Sequence, residues 1–262
     1  MVEFCYYIKG VKTMLYKKNS QKTLSKELFK NPTSEYRGTP FWAWNDYLTK
    51  DELSRQIEIF NEMGLGGFHM HVRTGLKNQY LSEEFMGLVK HCVEKAKDEK
   101  MLAWLYDEDR WPSGAAGGLV TKDERYRARC LLFTTEKDGE VTENNDSRAE
   151  GGRTGNGKLI ACYDVVLDKD GYLESYKRIN EEDEAKGTKW YALLEIHGKS
   201  SWYNDQAYLD TLSVDAVKKF VEVTHEKYKE TVGNEFDKTV PAIFTDEPQF
   251  TRKEVFDNSF DT

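Results

Sequence analysis

The sequence predicts an α/β fold built on a parallel sheet, and two observations favour it. Apolar runs begin at Pro40, Gly66 and Met101, separated by segments with helical spacing of apolar residues. Each run ends abruptly in polar or charged residues. A strand–helix–strand rhythm places successive strands side by side and parallel. Because the carboxyl ends of parallel strands meet at one edge, polar groups should gather there.

The composition is that of a folded protein with a sizeable core. The 262 residues are 39% hydrophobic and 13% aromatic, enough for one large domain or two small ones. The net charge of −8, with interspersed Lys and Arg, disfavours nucleic acid and anionic membranes as partners. No apolar run approaches the roughly 20 residues of a membrane span, and no secretory signal is visible. Scattered cysteines indicate reduced thiols, so we expect a cytoplasmic protein.

The first strand and helix are predicted from a short aromatic run and a capping signal. Pro40–Trp44 is typical of a strand. Thr49 and Glu52 form a capping box, in which each side chain can bond the other residue's backbone N–H. Gly64 is suited to end the helix. Between these ends, one apolar face is formed by Leu53, Ile57 and Phe60.

Two further strands follow the same pattern. The second is Gly66–His71, with Arg73 at its mouth, and a helix begins at about Ser82. The third is 101–106, and a polar segment from Asp107 to Gly114 follows it. Cys92 falls on the apolar stripe of the intervening helix and is predicted to lie in the core.

The rhythm then changes to that of an antiparallel sheet. Short β-like runs occur at 130–135, 159–167 and 190–196. Asp-Gly sequences in turns, as in 137–139 and 168–171, are typical of hairpins. We therefore predict a small antiparallel β insertion, with a polar, Gly-rich loop at 143–157.

Helical spacing returns at Ser213 and is predicted to continue to Gly233. One face is expected to carry Val214, Val217, Phe220, Val221, Thr224 and Tyr228. Val240–Thr245 then forms a fourth strand, which Pro248 ends because it lacks an N–H donor. The predicted organisation is an N-terminal arm (1–38), the first βα units (39–125), a β-rich insertion (126–204) and a fourth βα unit (205–262).

The predicted strand mouths collect carboxylates and aromatic side chains, a combination that suits a sugar. Acids hydrogen-bond hydroxyl groups, and an indole face stacks on the C–H side of a pyranose. Core packing competes with ligand binding as the role of the paired tryptophans and histidines. The candidate substrate-binding residues are Trp42, Trp44, Asn45, His69, His71, Arg73, Asp107, Trp111 and Asp246, and the candidate catalytic carboxylates are Glu247 and Glu108.

Several of these motifs, taken jointly, resemble the barrel segments of glycoside hydrolase family 106, the α-L-rhamnosidase-like enzymes. The resemblance covers about residues 38–125 and 205–250. It implies a TIM-type (β/α) barrel, a sugar site, hydrolysis through two carboxylates, and calcium as a feature of the family. The motifs that carry it are Pro40–Asn45, Gly66–Gly75, Tyr80–Glu83, Leu105–Glu108, Trp111–Gly114 and Phe244–Pro248.

The count of strands departs from that family. A complete barrel has eight strands, whereas about four βα units are counted here. We therefore expect a partial barrel, the N-terminal half of a longer enzyme. The missing half is expected in the same longer chain or in a partner chain.

Three functions remain open at this point. The first is a glycosidase in which Glu247 is one catalytic carboxylate, with its partner beyond residue 262 or at Glu108. Residue parity places Glu247 on the polar inner side and Phe244 on the helix-packed side. The second is a non-catalytic carbohydrate-binding or degenerate fragment. The third is a metal-dependent barrel hydrolase that uses His69 and His71 with Asp246 or Glu247.

Overall fold

The computed structural model describes residues 23, 25–138 and 154–250. Cys5, most of the predicted N-terminal arm, the turn at Gly139 and the loop at 143–153 lie outside the described residues. The chain forms two compact units. The first comprises residues up to Asp107 together with Glu226–Thr245, and the second comprises Glu108–His225 and the residues from Asp246 onward. The predicted domain boundaries stay predictions.

The described residues form a mixed α/β structure with one parallel and one antiparallel sheet. Its α-helices are α1 (Lys26–Lys30), α2 (Lys50–Glu62), α3 (Glu83–Asp98), α4 (Val214–Val223) and α5 (His225–Val232). Its strands are β1 (Phe41–Trp44), β2 (Gly67–Val72), β3 (Leu102–Tyr106), β4 (Arg129–Thr134), β5 (Lys158–Leu167), β6 (Leu173–Ile179), β7 (Thr188–Ile196) and β8 (Ile243–Phe244). No helix in these ranges combines the length and apolarity needed to cross a membrane.

The first unit contains the parallel sheet, with strand order β1-β2-β3-β8. One face of this sheet is covered by α2 and α3. Trp42 packs edge-on against Phe60 of α2, with ring centroids 5.3 Å apart, and Trp44 meets Phe85 of α3 at 5.5 Å. Both indoles are buried. The predicted parallel sheet with helical crossovers is confirmed, and this layer is its hydrophobic core.

The opposite face of the parallel sheet carries a second aromatic layer. Phe244 of β8 lies 5.1 Å from the ring of Phe41 and 6.0 Å from that of His71. The prediction that Phe244 packs on the helix-covered side is therefore wrong. The prediction assumes that side chains alternate between the two faces from Phe244 to Glu247. Glu247 has a left-handed φ of 41°, so this alternation does not extend to it.

The first predicted helix is confirmed, although its capping differs in detail. Thr49 Oγ1 accepts a hydrogen bond from the Glu52 N–H at 3.4 Å. The Glu52 carboxylate binds the side chains of Arg55 and Gln56. Gly64 has a φ of 79°, the left-handed conformation that suits glycine after a helix end.

The single helix predicted for 213–233 is two helices, because the helix is interrupted at Thr224. The Thr224 hydroxyl donates to the Phe220 carbonyl at 2.7 Å, the back-bonding that bends helices. The shared face is also corrected. Phe220, Thr224 and Tyr228 are buried, but the valines predicted beside them, Val214, Val217 and Val221, are exposed.

The fourth parallel strand is shorter than the predicted Val240–Thr245. Only Ile243 and Phe244 are paired as a strand, opposite Leu105 and Tyr106. Pro241 stands just before it and has no N–H to donate, which limits pairing on that side.

The second unit contains the predicted antiparallel sheet, with order β4-β7-β5-β6. The turn between β5 and β6 is the one its Asp-Gly signal predicts. Asp168 Oδ1 accepts the N–H groups of Asp170 and Tyr172, and Gly171 adopts a φ of 85°. A strand, and not a helix, thus occupies Leu159–Leu167.

Candidate functional site

The loop after β3 is folded around the carboxylate of Glu108. One carboxylate oxygen accepts the backbone N–H groups of Asp109 and Gly117, at 2.9 and 2.5 Å. The other accepts those of Gly114 and Ala116, at 2.8 and 2.7 Å. The Glu108 side chain is only 1% exposed. Every bond is local, so Glu108 closes the loop 108–117 on itself.

This environment suits a structural role for Glu108, and its predicted catalytic role stays a prediction. Burial raises the pKa of Glu108 to about 7. The four N–H donors have the opposite, smaller effect and lower the pKa. Four donors use both oxygens of the carboxylate, and no edge remains for a substrate hydroxyl or a water molecule. The geometry is that of an anchor for the loop.

The same loop is joined to the segment after β8. Ser113 and Asp246 exchange two hydrogen bonds: the Ser113 N–H donates to the Asp246 carbonyl at 2.8 Å, and the Asp246 N–H donates to Ser113 Oγ at 2.9 Å. Tyr208 adds a second connection. Its hydroxyl donates to the Ser113 carbonyl and accepts the Gln249 N–H at 2.8 Å. The backbone on both sides of Glu247 is thereby fixed.

Glu247 itself is exposed and conformationally unusual. Its φ of 41° lies in the left-handed region, which is uncommon for a residue with a Cβ and is found at functional sites. Its carboxylate Oε2 accepts a hydrogen bond from the indole Nε1 of Trp111 at 3.0 Å. The carboxylate is therefore oriented by a neighbouring side chain while it stays open to solvent.

Trp111 is held in turn by two residues from a distant part of the chain. Asn204 Nδ2 donates to the Trp111 carbonyl at 3.0 Å, and Trp202 packs edge-on against the indole at 5.3 Å. Both tryptophans are partly exposed. The second unit thus places an oriented carboxylate beside aromatic rings, and the predicted sugar site stays a prediction.

The paired histidines of β2 lie in the first unit and stack on aromatic rings. His71 stacks on Tyr106 with centroids 3.9 Å apart, and His69 stacks on Trp104 at 4.9 Å. Burial lowers the pKa of both, that of His71 to about 4, where the nearby charge of Arg73 adds to the effect. Both imidazoles are therefore neutral at pH 7.

Asp107 is a buried carboxylate of the first unit. It is fully buried at the end of β3 and accepts the Thr245 hydroxyl at 2.6 Å. Its N–H donates to the Phe244 carbonyl at 3.3 Å, so Asp107 ties β3 to β8.

The remaining predicted residues divide into core and surface. Trp42 and Trp44 are buried in the helix-covered layer and pack in the core, one of the two roles that the sequence leaves open for them. The Trp42 indole donates to Gln56 Oε1 at 2.7 Å, a bond within the core. Asn45 and Arg73 are exposed beside the ends of β1 and β2.

Of the predicted residues, the second unit contains Glu108, Trp111, Asp246 and Glu247, and the first contains His69, His71 and Asp107. The expected common rim of Glu247, Asp107 and His71 stays a prediction. Sequence reasoning missed Trp202, Asn204 and the role of Ser113. A tryptophan in the polar segment 199–206 was the available signal for the first of these.

No metal centre is formed by the described parts of the chain. Within residues 25–138 and 154–250, no three His, Cys, Asp or Glu side chains are grouped as metal ligands. The acid-rich set that calcium takes is therefore not found there. His69 and His71, the metal ligands of the third alternative, are both stacked on aromatic rings, and that alternative stays a prediction.

Comparison with known proteins gives little similarity. No family model matches the chain, and no curated protein matches it. Among solved structures, a rhamnosidase from Novosphingobium sp. PP1Y is similar to 57% of this chain, with 15% sequence identity and a TM-score of 0.35. The chain spans 17% of that structure. A likeness this low assigns neither the fold nor the activity.

Proposed function

We propose that this protein is a glycoside hydrolase in which Glu247 is a catalytic carboxylate. One observation carries the proposal: an exposed glutamate in a strained conformation is oriented by an indole N–H. Rigid placement of a carboxylate is what acid–base or nucleophilic catalysis on a glycosidic bond requires. The motif resemblance to α-L-rhamnosidase-like enzymes supports the choice of substrate for a first assay.

The proposal assigns distinct roles to the neighbours of Glu247. Trp111 and Trp202 offer aromatic edges and faces to a pyranose, and Trp111 also orients the carboxylate. Asp246 and Ser113 hold the backbone on which Glu247 stands. Because four backbone N–H groups enclose the Glu108 carboxylate, we propose that the second carboxylate of the reaction lies outside the described residues.

We further infer that the parallel sheet is part of a barrel. Its strand order follows the chain, β1-β2-β3-β8, and α2 and α3 pack on one face. In a doubly wound sheet, the spatial order of the strands would instead reverse at an inner strand. A complete barrel needs eight strands, so this inference requires further strands from a longer chain or a partner chain.

A second candidate function is carbohydrate binding without hydrolysis. The enclosure of Glu108 favours it, because the in-chain partner expected for Glu247 is unavailable for chemistry. In that case Glu247 and the two tryptophans would bind a sugar and leave its glycosidic bond intact.

Kinetics and calorimetry of Glu247→Gln separate the two. For a glycosidase, we expect release of nitrophenol from 4-nitrophenyl α-L-rhamnopyranoside to fall by about 10²-fold or more, with little change in KM. The matched control is Glu182→Gln, an exposed carboxylate of the second unit, which should behave as wild type. Saturable binding of the glycoside by a wild-type protein without turnover would favour the second candidate. Unchanged turnover in Glu247→Gln would remove Glu247 from the chemistry.

A further inference from the structure

The antiparallel sheet of the second unit carries an open cavity of about 570 Å³ on one face. We call this surface the aromatic face. It is defined by Phe133, Tyr163, Tyr172, Leu173, Tyr176 and Trp190. Strand register places these groups on the same side, because Tyr163 is opposite Trp190 and Val165 is opposite Tyr176.

The aromatic face has a packed floor and an exposed rim. On the floor, Phe133 stacks on Trp190 with centroids 4.7 Å apart and an angle of 26°, and Tyr163 meets Phe133 edge-on at 6.0 Å. Trp190 is only 4% exposed. At the rim, Tyr172 is 74% exposed and Tyr176 is 68% exposed. The floor is therefore preformed, and the rim rings are open to a ligand.

Such a concentration of exposed apolar groups indicates a binding surface. Besides the two rim tyrosines, Leu131 and Leu173 are exposed at the same cavity. Large exposed apolar groups gathered in one concavity mark interaction sites in soluble proteins. The volume falls within the roughly 300–1,000 Å³ of small-molecule sites.

The lining also restricts the chemistry of the occupant. None of the described residues that line the cavity is charged, and the polar side-chain groups of the lining are the tyrosine hydroxyls and the indole N–H of Trp190. A charged ligand would lose its hydration there without gaining a counter-charge. The exposed edge strand β6 carries Glu174, Lys177 and Arg178, charges that oppose strand addition by a second copy of the chain.

We propose that the aromatic face binds an uncharged small molecule with a planar aromatic ring. The ring contacts the floor of Phe133 and Trp190, and polar substituents of the ligand meet the tyrosine hydroxyls at the rim. This site is independent of Glu247 and of the proposed hydrolysis.

Titration of the 262-residue chain with N-phenyl-1-naphthylamine, a neutral fluorescent probe, tests the proposal. We expect saturable binding of one probe per chain. Tyr172→Ser and Tyr176→Ser should each raise Kd by about fivefold, since each removes one ring contact, and the double variant should raise it further. Tyr47→Ser is the matched control, because Tyr47 is a 58% exposed tyrosine of the first unit. It should bind as wild type does.

Several results would overturn the proposal. The first is non-saturable binding of the probe, and the second is a loss of affinity in Tyr47→Ser as large as in the rim variants. The third is displacement of the probe by methyl α-L-rhamnopyranoside, which would show that the ligand is a sugar. Sedimentation equilibrium supplies a further one: a wild-type dimer that Tyr176→Ser converts to a monomer would show that a second copy covers the face. Circular dichroism of each rim variant checks that the sheet is retained. The rim side chains are exposed, so we expect unchanged spectra.

Discussion

At the scale of single residues, Glu247 differs from the other carboxylates of the strand ends. Glu108 and Asp107 are buried and used by donors within the protein. Glu247 is exposed and strained, and it is oriented by Trp111. A left-handed conformation costs a residue with a Cβ about 1–2 kcal/mol, and the hydrogen bonds around Ser113 and Tyr208 hold it in place.

The sequence predicted part of this constellation. Asp246 and Glu247 follow a β-like run, and Trp111 lies in the polar segment after another, so local pattern was enough to select them. Trp202 and Asn204 reach Trp111 from about 90 residues away in the chain, and no local period indicates such a contact. Trp42 and Trp44 were ambiguous because a strand pattern shows which residues share a face, but not which face the helices cover.

His71 provides a prediction about pH and stability. Its pKa in the fold is about 4, below the ordinary value of 6.5, because it is buried. Between these values the unfolded chain binds a proton that the folded chain does not, so stability is full above pH 6.5 and falls as the pH drops towards 4. The loss is up to about 3 kcal/mol.

Urea unfolding of wild type and His71→Phe at pH 7, 6, 5 and 4.5 measures this effect. The phenyl ring keeps the contact with Tyr106 but does not titrate, so the variant should lose less stability on acidification. His91→Phe, the same substitution on α3, is the control and should follow wild type. Parallel pH curves for wild type and His71→Phe would contradict the assignment.

At the scale of elements, the spacing of apolar residues predicted the type of each secondary-structure element more reliably than its ends. The amphipathic period of 213–233 was read correctly as helical. The break at Thr224 depends on a hydroxyl that bonds the Phe220 carbonyl, and an apolar pattern does not report this. The loop 108–117 is a second case: its acids suggested a catalytic site, whereas its fold depends on four N–H donors around one carboxylate.

Glu108→Gln tests whether this loop is held by a carboxylate. The amide nitrogen would face two backbone N–H donors that need an acceptor, so we expect the free energy of unfolding to fall by about 3 kcal/mol or more. Amide exchange at 109–117 should accelerate. Glu124→Gln, an exposed member of an ion pair with Arg127, should cost under about 1 kcal/mol. Wild-type stability in Glu108→Gln would mean that the acid is protonated and does not anchor the loop.

At the scale of the whole molecule, the two sheets follow from two periods in the sequence. The strand–helix rhythm predicted the parallel sheet, and alternating runs with Asp-Gly turns predicted the antiparallel one. The division into two units was not predictable. It separates Asp107 from Glu108 and Thr245 from Asp246, adjacent residues that no composition change distinguishes.

The most direct test of the account is chemical rescue of Glu247→Gly. Glycine adopts a φ of 41° without strain, so we expect the variant to be at least as stable as wild type in urea. Its turnover of 2,4-dinitrophenyl α-L-rhamnopyranoside should fall by about 10²-fold or more. Sodium azide, a small nucleophile that fits the space of the lost carboxylate, should restore turnover by tenfold or more in Glu247→Gly and have no effect on wild type. A stable Glu247→Gly variant that turns over the glycoside at the wild-type rate would contradict the central claim.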